Sequence, residues 1–173
     1  MGERLRVEQL DLAHKAAGHI YRYELASKLI SAGEHVLDVA SGVGYGAKIL
    51  NSDAHIRYTG IDLVSPDESF LTYGDFESGV DLDSWEPSFS WDVSVSFETL
   101  EHLKDPNHFA RLLSKASRLI VLSTPTRPTK HMNPWHLHDF TVDDVIEMFP
   151  DCDLVSLEDQ PEELSHIFVF STT

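Results

Sequence analysis

The stretch that most constrains the fold is His35–Leu50, HVLDVASGVGYGAKIL. It opens with a short apolar run, Val36–Val39, that carries one carboxylate, Asp38, and continues with three glycines alternating with larger residues over 42–46. A strand, a glycine turn and a helix start let backbone N–H groups approach an anionic or polar ligand closely. Glycine suits such a turn because it adopts positive φ and carries no side chain to block the ligand. The pattern therefore predicts a ligand-binding turn, the alternative being a tight strand–helix connection without a ligand.

Acidic residues follow the next predicted strands. Asp62 lies near the end of a second apolar run, Tyr58–Leu63, about twenty residues after the glycines, where nucleotide-binding βαβ folds place a ribose-binding acid. The sequence predicts a third strand at Phe70–Tyr73, followed by Gly74–Phe76 (GDF), and a fourth at Trp91–Glu98. Each of these strands is thus followed by a carboxylate.

These motifs together resemble the class I S-adenosylmethionine-dependent methyltransferases, with their LDxxxGxG and FDxVxxxExxEH patterns. The likeness is to the methyltransferase type 11/23 branch, which acts on small molecules and glycan precursors, and it spans roughly residues 10–171. It implies an α/β fold: a Rossmann-like, doubly wound sheet of about seven strands that ends in an antiparallel hairpin. It also implies one domain, 1–173, with an N-terminal helical lid at 1–34 and a core at 35–173.

The resemblance assigns the cofactor-binding residues as well. Gly42 and Gly44 would pass beneath the methionine part of S-adenosylmethionine, Asp38 would hold the loop and the amino group, and Asp62 would accept the ribose hydroxyls. The full set that the resemblance implies is Asp38, Ala40, Gly42, Gly44, Asp62, Leu63, Asp75, Phe76 and Phe97.

The resemblance also assigns two contacts to the adenine of the cofactor, and the sequence departs from the family pattern at one position. Asp75 would receive the adenine amino group, and Phe76 would donate its backbone N–H to the ring. Ala40 stands where the family often has its first glycine, and alanine fits there if the position keeps a negative φ.

A second constellation, Glu98-Thr99-Leu100-Glu101-His102, brings acids and a histidine together. On a helical turn Glu98, Glu101 and His102 are i, i+3 and i+4 and share one side. Together with His136, which follows the adjacent fifth strand, they could bind a hard divalent ion such as Mg²⁺. The motif resembles that of metal-dependent 2′-O-methyltransferases of small-RNA ends and, in part, of quinone O-methyltransferases. The alternatives are that His102 or His136 is a general base, with Glu98 as a further catalytic candidate, or that the acids only brace a helix.

Helix signals delimit the rest of the chain. Residues 4–31 read as helical, with Gly18 as a point where the run could split. Asp105-Pro106 is an N-cap followed by a proline at N1, and Thr141 with Asp144 makes a capping box. The fifth strand is predicted at Leu119–Leu122. The last two strands are predicted at Leu154–Leu157 and Ile167–Phe170, which pair as an antiparallel hairpin.

One expected helix is missing. Val64–Ser69 leaves no room for an α-helix between the second and third strands, although a parallel crossover usually contains one. We therefore expect a pared-down fold in which one face of the sheet is poorly covered near that edge. The N-terminal helices or a second subunit of a homo-oligomer would then have to cover this face.

The charge and the composition of the chain limit the kinds of partner that it can bind. The net charge is −16, from 13 Lys+Arg and 29 Asp+Glu, so the positive surface that long nucleic acid requires is not apparent. The single cysteine, Cys152, excludes an intramolecular disulfide, and the absence of an apolar run of about 18 residues predicts a cytoplasmic protein without membrane contact.

The sequence thus favours an enzyme that transfers methyl groups from S-adenosylmethionine to an O or N atom of a small molecule, sugar or glycan precursor. The alternatives are a metal-assisted 2′-O-methyltransferase of a nucleotide or RNA end, and a non-catalytic module that binds S-adenosylmethionine or dimerises.

Overall fold

A seven-stranded mixed sheet forms the centre of the protein. The computed structural model describes residues 15–52, 55–116 and 118–172. The strands are β1 (His35–Val39), β2 (Arg57–Asp62), β3 (Asp75–Ser78), β4 (Val93–Phe97), β5 (Leu119–Pro125), β6 (Cys152–Gln160) and β7 (Ser165–Thr172). Their order is β3-β2-β1-β4-β5-β7-β6; β1 to β5 are parallel, and β7 is antiparallel to both β5 and β6. The predicted Rossmann-like sheet with a terminal antiparallel hairpin is confirmed.

Two apolar clusters cover the two faces of this sheet. The helices are α1 (Lys15–Ser27), α2 (Tyr45–Leu50), α3 (Pro106–Leu113) and α4 (Val142–Glu147). Buried side chains of α1 and α2 pack with alternate residues of β1 and β4 on one face, which we call the α1 face. Buried side chains of α3 and α4 pack on the opposite face, the α3 face. A side chain at a strand end therefore belongs to one side of the sheet or the other according to its parity.

The strand order places a crevice between β1 and β4. From β1 the chain moves outward to β2 and β3, and it then returns to the other side of β1 with β4. Loops that leave β1 and β4 at their carboxyl ends therefore diverge, and open α/β sheets bind ligands at such a switch point. In this chain those loops begin at Ala40 and Glu98.

The third strand lies later in the chain than predicted. Residues Glu68–Tyr73 form a 3-10 helix, and β3 pairs with β2 through Thr59 opposite Asp75. The prediction of a strand at Phe70–Tyr73 is wrong because Asp67 caps this turn, accepting hydrogen bonds from the Ser69 amide at 2.9 Å and its hydroxyl at 2.6 Å. Phe70 is then buried from a helical turn.

The predicted absence of an α-helix between the second and third strands is confirmed. The sheet face near that edge is nevertheless covered, by segments that flank β3. The connection from β2 to β3 contains that 3-10 helix and no α-helix. On the α1 face it packs Phe70 and Tyr73 against the core, and on the α3 face the segment before β4 contributes Val80, Leu82 and Trp85. Three of the four residues of β3 are exposed, and all three are polar.

Helix α1 differs from its prediction in extent and in continuity. It runs from Lys15 to Ser27 without a break at Gly18, and residues 4–14 of the predicted helix lie outside the described residues. The small size of Gly18 has another use, because a Cβ there would come within 2.6 Å of the Glu163 carboxylate. Glycine at this position thus lets the β6–β7 turn approach the helix.

The two predicted N-caps are confirmed. The Asp105 side chain accepts a hydrogen bond from the His108 amide at 2.9 Å, with Pro106 following it. Thr141 and Asp144 form a reciprocal capping box. Within the described residues, no helix combines the length and the apolar character that a membrane span requires.

Candidate functional site

The glycine turn after β1 has the conformation that its sequence predicts. Gly42 has φ 58° and Gly44 has φ 94°, and Gly44 directly precedes α2. A Cβ on Gly42 would meet no atom within 4 Å, so this residue faces open space at the switch point. A Cβ on Gly44 would come within 2.8 Å of the Phe76 ring. Gly42 is therefore the residue at which a ligand can approach the backbone, while Gly44 is required by packing.

Ala40 does not keep the negative φ that we expected. Its φ is 67°, in the left-handed region that favours glycine. The cause is a sharp turn in which the amides of Ala40 and Ser41 both donate to the Ile61 carbonyl, at 2.9 and 3.0 Å. An alanine in this conformation costs about 1–2 kcal/mol of strain. The first residue after β1 is thus held by the neighbouring strand at some energetic cost.

Asp38 is fully buried beneath this turn, between two tyrosines. Its carboxylate accepts hydrogen bonds from the Tyr58 hydroxyl at 2.7 Å and the Tyr23 hydroxyl at 3.0 Å. Tyr23 reaches it from α1 because position 46 is glycine: a Cβ on Gly46 would come within 2.3 Å of the Tyr23 ring. Burial raises the pKa of Asp38 to about 7, although both tyrosine hydroxyls act in the opposite direction. Asp38 therefore supports the turn from below, with its oxygens already occupied.

Asp62 connects the glycine turn to the end of β2. Its two oxygens accept hydrogen bonds from the amides of Gly42 and Val64, both at 2.9 Å. The neighbouring Leu63 side chain is 59 % exposed, and the Gly79 amide donates to the Leu63 carbonyl at 3.2 Å. A carboxylate at the end of β2, beside an exposed leucine, is the arrangement in which nucleotide-binding βαβ folds hold a ribose diol.

The structure does not bring Asp75 to this edge of the sheet. Because β3 begins at Asp75, the residue opposite Asp62 is Ser78, three positions farther along the strand. Phe76 packs against Tyr58 on the α1 face, with ring centroids 5.4 Å apart. Phe97, at the end of β4, is buried against Tyr23. The expected adenine contacts of Asp75 and Phe76 assumed a strand that ended at these residues instead of beginning there.

Glu98 lies on a different side of the sheet from Glu101 and His102. The expectation that all three share one side of a helical turn is wrong, since Glu98 has φ 52° and the 3-10 turn begins only at Leu100. Its oxygens accept hydrogen bonds from the hydroxyls of Ser123 at 2.8 Å and Ser165 at 3.0 Å. These contacts hold Glu98 over the ends of β5 and β7.

Glu101, His102 and His136 do come together. Each offers one ligand atom, and these atoms lie within 4.8 Å of one another. Glu101 is buried and accepts a hydrogen bond from Thr124 on one oxygen at 2.9 Å, while its Oε1 has no hydrogen-bond partner among the described residues. Burial is the main cause that holds the pKa of Glu101 well above its usual range, and the negative charge of Glu98 acts in the same direction. Oxygen and nitrogen donors in this arrangement suit a proton transfer or a divalent ion.

The two histidines are positioned by the loop after β5. His102 Nδ1 lies 3.0 Å from the Trp135 carbonyl, which can only accept, so Nδ1 carries the hydrogen. The other nitrogen, Nε2, lies 3.7 Å from Glu101 Oε1. His136 Nδ1 is 2.7 Å from the Thr129 hydroxyl. The imidazole of His102 therefore directs Nε2 toward the buried carboxyl.

Sequence reasoning missed several residues that organise the site. Tyr23 and Tyr58 hold Asp38, and Thr124 holds Glu101. Arg22, fully buried in α1, lies 3.3 Å from Glu98. The run of aromatic and basic residues in α1 is the signal that could have drawn attention to this helix, but its partners come from distant strands and cannot be read from spacing.

Comparison with known proteins identifies the family. A sequence model described as a methyltransferase domain matches residues 11–169. The chain belongs to this family. The resemblance to class I S-adenosylmethionine-dependent methyltransferases is thereby confirmed, and S-adenosylmethionine is the methyl donor that the family implies.

The curated relatives agree with this assignment. The chain is 29% identical over 133 residues to a probable S-adenosylmethionine-dependent methyltransferase of Mycolicibacterium smegmatis, covering 68% of this chain and 50% of the relative. It is 25% identical over 147 residues to a probable S-adenosylmethionine-dependent methyltransferase of Mycobacterium tuberculosis, covering 70% of this chain and 49% of that protein. The chain thus spans about half the length of these relatives.

Solved structures of low identity share the fold. A Haloferax volcanii methyltransferase, in complex with the Trm112 methyltransferase activator, superposes with a TM-score of 0.72 at 14% identity, over 96% of this chain and 94% of that chain. The 1,6-didemethyltoxoflavin N1-methyltransferase of Burkholderia thailandensis, bound to its substrate and S-adenosylhomocysteine, gives 0.68 at 15% identity, over 96% and 85%. The [4+2]-cyclase SpnF gives 0.70 at 14% identity, over 88% and 80%. Since a cyclase is among these neighbours, the likeness describes the fold and not the reaction.

Proposed function

We propose that the protein transfers the methyl group of S-adenosylmethionine to an oxygen or nitrogen atom of a small molecule, sugar or glycan precursor. The observation that carries the proposal is the position of His102, one turn beyond β4. Its orientation is fixed by the Trp135 carbonyl, and Glu101 lies beside its second nitrogen. The glycine turn, which the family uses for the donor, follows the adjacent strand β1.

Methyl transfer requires that the donor and the acceptor are aligned and that the acceptor loses a proton. The sulfonium of the donor is already an activated leaving group, and aligning donor and acceptor is worth roughly 7–11 kcal/mol. A hydroxyl or ammonium acceptor must also lose a proton, and a positioned imidazole is the commonest base for that step. His102 offers Nε2 for this proton because Nδ1 already donates to Trp135. Glu101 Oε1 lies 3.7 Å from this nitrogen, so the carboxyl adjoins the position where the proton arrives.

The surroundings of His102 favour a small organic acceptor. Trp135 and Leu137, in the same loop, are 50 % and 43 % exposed, which offers apolar surface to a sugar or aromatic ring. Arg127, one of the few cations of this loop, is clamped to Asp159 by two hydrogen bonds of 2.9 Å. With a net charge of −16, this leaves little positive surface for a long nucleic acid.

The proposal is tested by following S-adenosylhomocysteine release with pooled acceptors: phenols, nucleotide sugars, small amines and an RNA oligonucleotide with a free 3′-terminal 2′-hydroxyl. We expect turnover in a small-molecule pool. Methylation of the RNA end alone would establish the 2′-O-methyltransferase alternative instead. Tight binding of S-adenosylhomocysteine without turnover in a broad panel would favour the non-catalytic module.

A second candidate function is metal-assisted methyl transfer, favoured by one specific observation. Glu101 Oε1 has no hydrogen-bond partner among the described residues, and it faces two histidines whose ligand atoms lie within 4.8 Å. These residues would hold a divalent ion such as Mg²⁺ or Mn²⁺ through one oxygen and two nitrogens. Such an ion, when bound, would lower the pKa of an acceptor hydroxyl.

Metal binding is measured directly by titrating Mn²⁺ and recording the fraction of free ion by electron paramagnetic resonance. We expect one bound ion in the wild type and none in the H136A variant, with H131A as a control on the same loop. Absence of binding, together with full activity in excess chelator, would reject the metal and leave His102 as a base.

The homo-oligomer remains a proposal, supported now by a different edge of the sheet. The outer strand β6 exposes Leu154, Val155 and Leu157, at 38 %, 62 % and 40 %. Exposed apolar strands at a sheet edge favour association with another chain. Sedimentation velocity of the wild type and of V155K checks it: a concentration-dependent species should be lost in the variant.

A further inference from the structure

The loop that orients the candidate base lies between β5 and α4, and we call its residues 126–139 the acceptor loop. Its far end is held at the turn after β4. The Leu137 amide donates to the Glu101 carbonyl at 2.7 Å, and the Trp135 carbonyl accepts a hydrogen bond from His102 Nδ1 at 3.0 Å. The orientation of the His102 imidazole therefore depends on where this loop lies.

The near end of the acceptor loop is held by the β6–β7 hairpin. Arg127 donates to both carboxylate oxygens of Asp159, in β6, through two hydrogen bonds of 2.9 Å. The hydroxyl of the preceding Thr126 lies 2.6 Å from His166 Nδ1, and its amide donates to the Leu164 carbonyl at 3.0 Å. His166 Nε2 lies 3.8 Å from the Asp159 carboxylate. Asp159 thus contacts Arg127 directly and Thr126 through His166.

A short internal network links the two ends of the acceptor loop. Thr129, two positions after Arg127, is buried, and its hydroxyl lies 2.7 Å from His136 Nδ1. The His136 ring packs edge-on against the His102 ring, with centroids 4.7 Å apart. Asp139 closes the loop on itself, since its carboxylate accepts a hydrogen bond from the Thr129 amide at 2.7 Å. A displacement at Arg127 would therefore reach both histidines.

The Arg127–Asp159 pair has the geometry that distinguishes an effective surface ion pair. The two side chains are 37 % and 46 % exposed, and most ion pairs with such exposure contribute little because water and salt screen them. A bidentate guanidinium–carboxylate pair is the exception, since two parallel hydrogen bonds fix both distance and direction. The pair is thus suited to fixing the direction in which the acceptor loop leaves β5.

We propose that Asp159 is a positioning residue of the acceptor site: it holds the acceptor loop on the β6–β7 hairpin and thereby fixes the imidazole of His102. Asp159 acts through Arg127 and Thr126, and not on the reacting atoms. The inference rests on the role of His102 as a base in the proposed function. Its test uses the free protein, so the result does not depend on which acceptor is methylated.

The test follows the His102 imidazole by ¹⁵N NMR of histidine-labelled protein at about pH 8.5, where imidazoles are ordinarily neutral. The signal is assigned by its loss in H102Q. In the wild type we expect the Nδ1–H tautomer, because Trp135 accepts from Nδ1. D159N and R127M should shift the signal toward a mixture of both tautomers. In the same variants, hydrogen exchange of the Leu137 amide should become about two- to fivefold faster.

Conservative variants and a matched ion pair serve as controls. D159E keeps both acceptor oxygens and should retain the wild-type signal, whereas R127K keeps the charge without the planar fork and should behave like R127M. Lys115 and Glu86 form another exposed ion pair, after α3. K115M and E86Q should therefore leave both the His102 signal and the Leu137 exchange rate unchanged. Thermal unfolding of each variant checks that the fold is retained.

Several outcomes would overturn the inference. A D159N variant that matches the wild type in both measurements would reduce the pair to a surface contact. Faster exchange throughout the sheet with an unchanged His102 signal would do the same, since general destabilisation gives that result. If D159N does not fold, R127M and R127K decide by the same two measurements. Absence of turnover with every pooled acceptor would instead overturn the proposed function and leave these measurements unaffected.

Discussion

The proposed methyl-donor side of the sheet edge, around Asp38 and Asp62, and the proposed methyl-acceptor side, around Glu101 and His102, are built in opposite ways. On the donor side, Asp38 and Asp62 already accept hydrogen bonds from tyrosine hydroxyls and backbone amides. On the acceptor side, Glu101 keeps one buried oxygen without a hydrogen bond among the described residues, next to His102. The donor turn is thus complete without its ligand, whereas the acceptor side retains unused hydrogen-bonding capacity. Polar groups left in this condition mark the place where chemistry or a ligand completes the structure.

The acceptor side should be the more sensitive to substitution in turnover. Replacing His102 by alanine removes the proposed base, and we expect the turnover rate to fall by about 100- to 10,000-fold. The affinity for S-adenosylhomocysteine, measured by calorimetry, should stay within about twofold because the donor turn is unchanged. H131A, on the exposed part of the same loop, is the control. Equal loss in both variants would mean that the loop, and not the base, was disturbed.

The buried carboxyl on the donor side should instead appear in the pH dependence of stability. The pKa of Asp38 is raised from 3.8 to about 7 in the folded protein, so folding favours its protonated form. Its contribution is fully present below pH 4 and is lost as the pH rises toward 7. At 1.36 kcal/mol per pKa unit this amounts to at most roughly 4 kcal/mol.

Urea unfolding of the wild type and D38N between pH 4 and pH 8 measures this contribution. The difference in unfolding free energy should shift in favour of D38N as the pH rises, because asparagine cannot ionise. D143N, at an exposed position of α4, should follow the wild type. Parallel curves for wild type and D38N would contradict the raised pKa.

Two aspartates with the same expected role should differ in cofactor affinity. D62A should weaken S-adenosylhomocysteine binding by about 1.5–3 kcal/mol, since it removes the carboxylate that we expect to bind the ribose and that accepts a hydrogen bond from the Gly42 amide. D75A should leave the affinity unchanged, because Asp75 is exposed at the start of β3. Calorimetry on both variants decides between the resemblance, which gave both residues a contact, and the strand register, which separates them.

The smallest effect concerns the strained residue after β1. Ala40 has φ 67°, so A40G should relieve strain and raise the unfolding free energy by up to about 1 kcal/mol, after the entropy cost of glycine. A47G, in the interior of α2, should lower it by a similar amount. Thermal unfolding measures both. A destabilised A40G would show that the left-handed conformation carries no strain here.

The sequence by itself determined the parts of this protein that depend on local pattern. The glycine turn, the N-caps at Asp105 and Thr141, and the terminal hairpin are each specified by residues close together in the chain. Their physics is local: allowed φ values, side-chain capping and alternation along a strand. The family, too, could be identified from such motifs.

The tertiary structure alone decided which side chains meet. The register of β3 against β2 places Ser78, and not Asp75, opposite Asp62. Glu98 does not join Glu101 and His102, as the sequence predicted, because its positive φ directs its side chain to the other face of the sheet. There it contacts Arg22, Ser123 and Ser165. These partners are 25 to 76 positions away along the chain, and each is placed by a different strand or helix. Contacts of this kind are fixed by how the sheet closes and by the cost of burying unpaired charge, neither of which local spacing records.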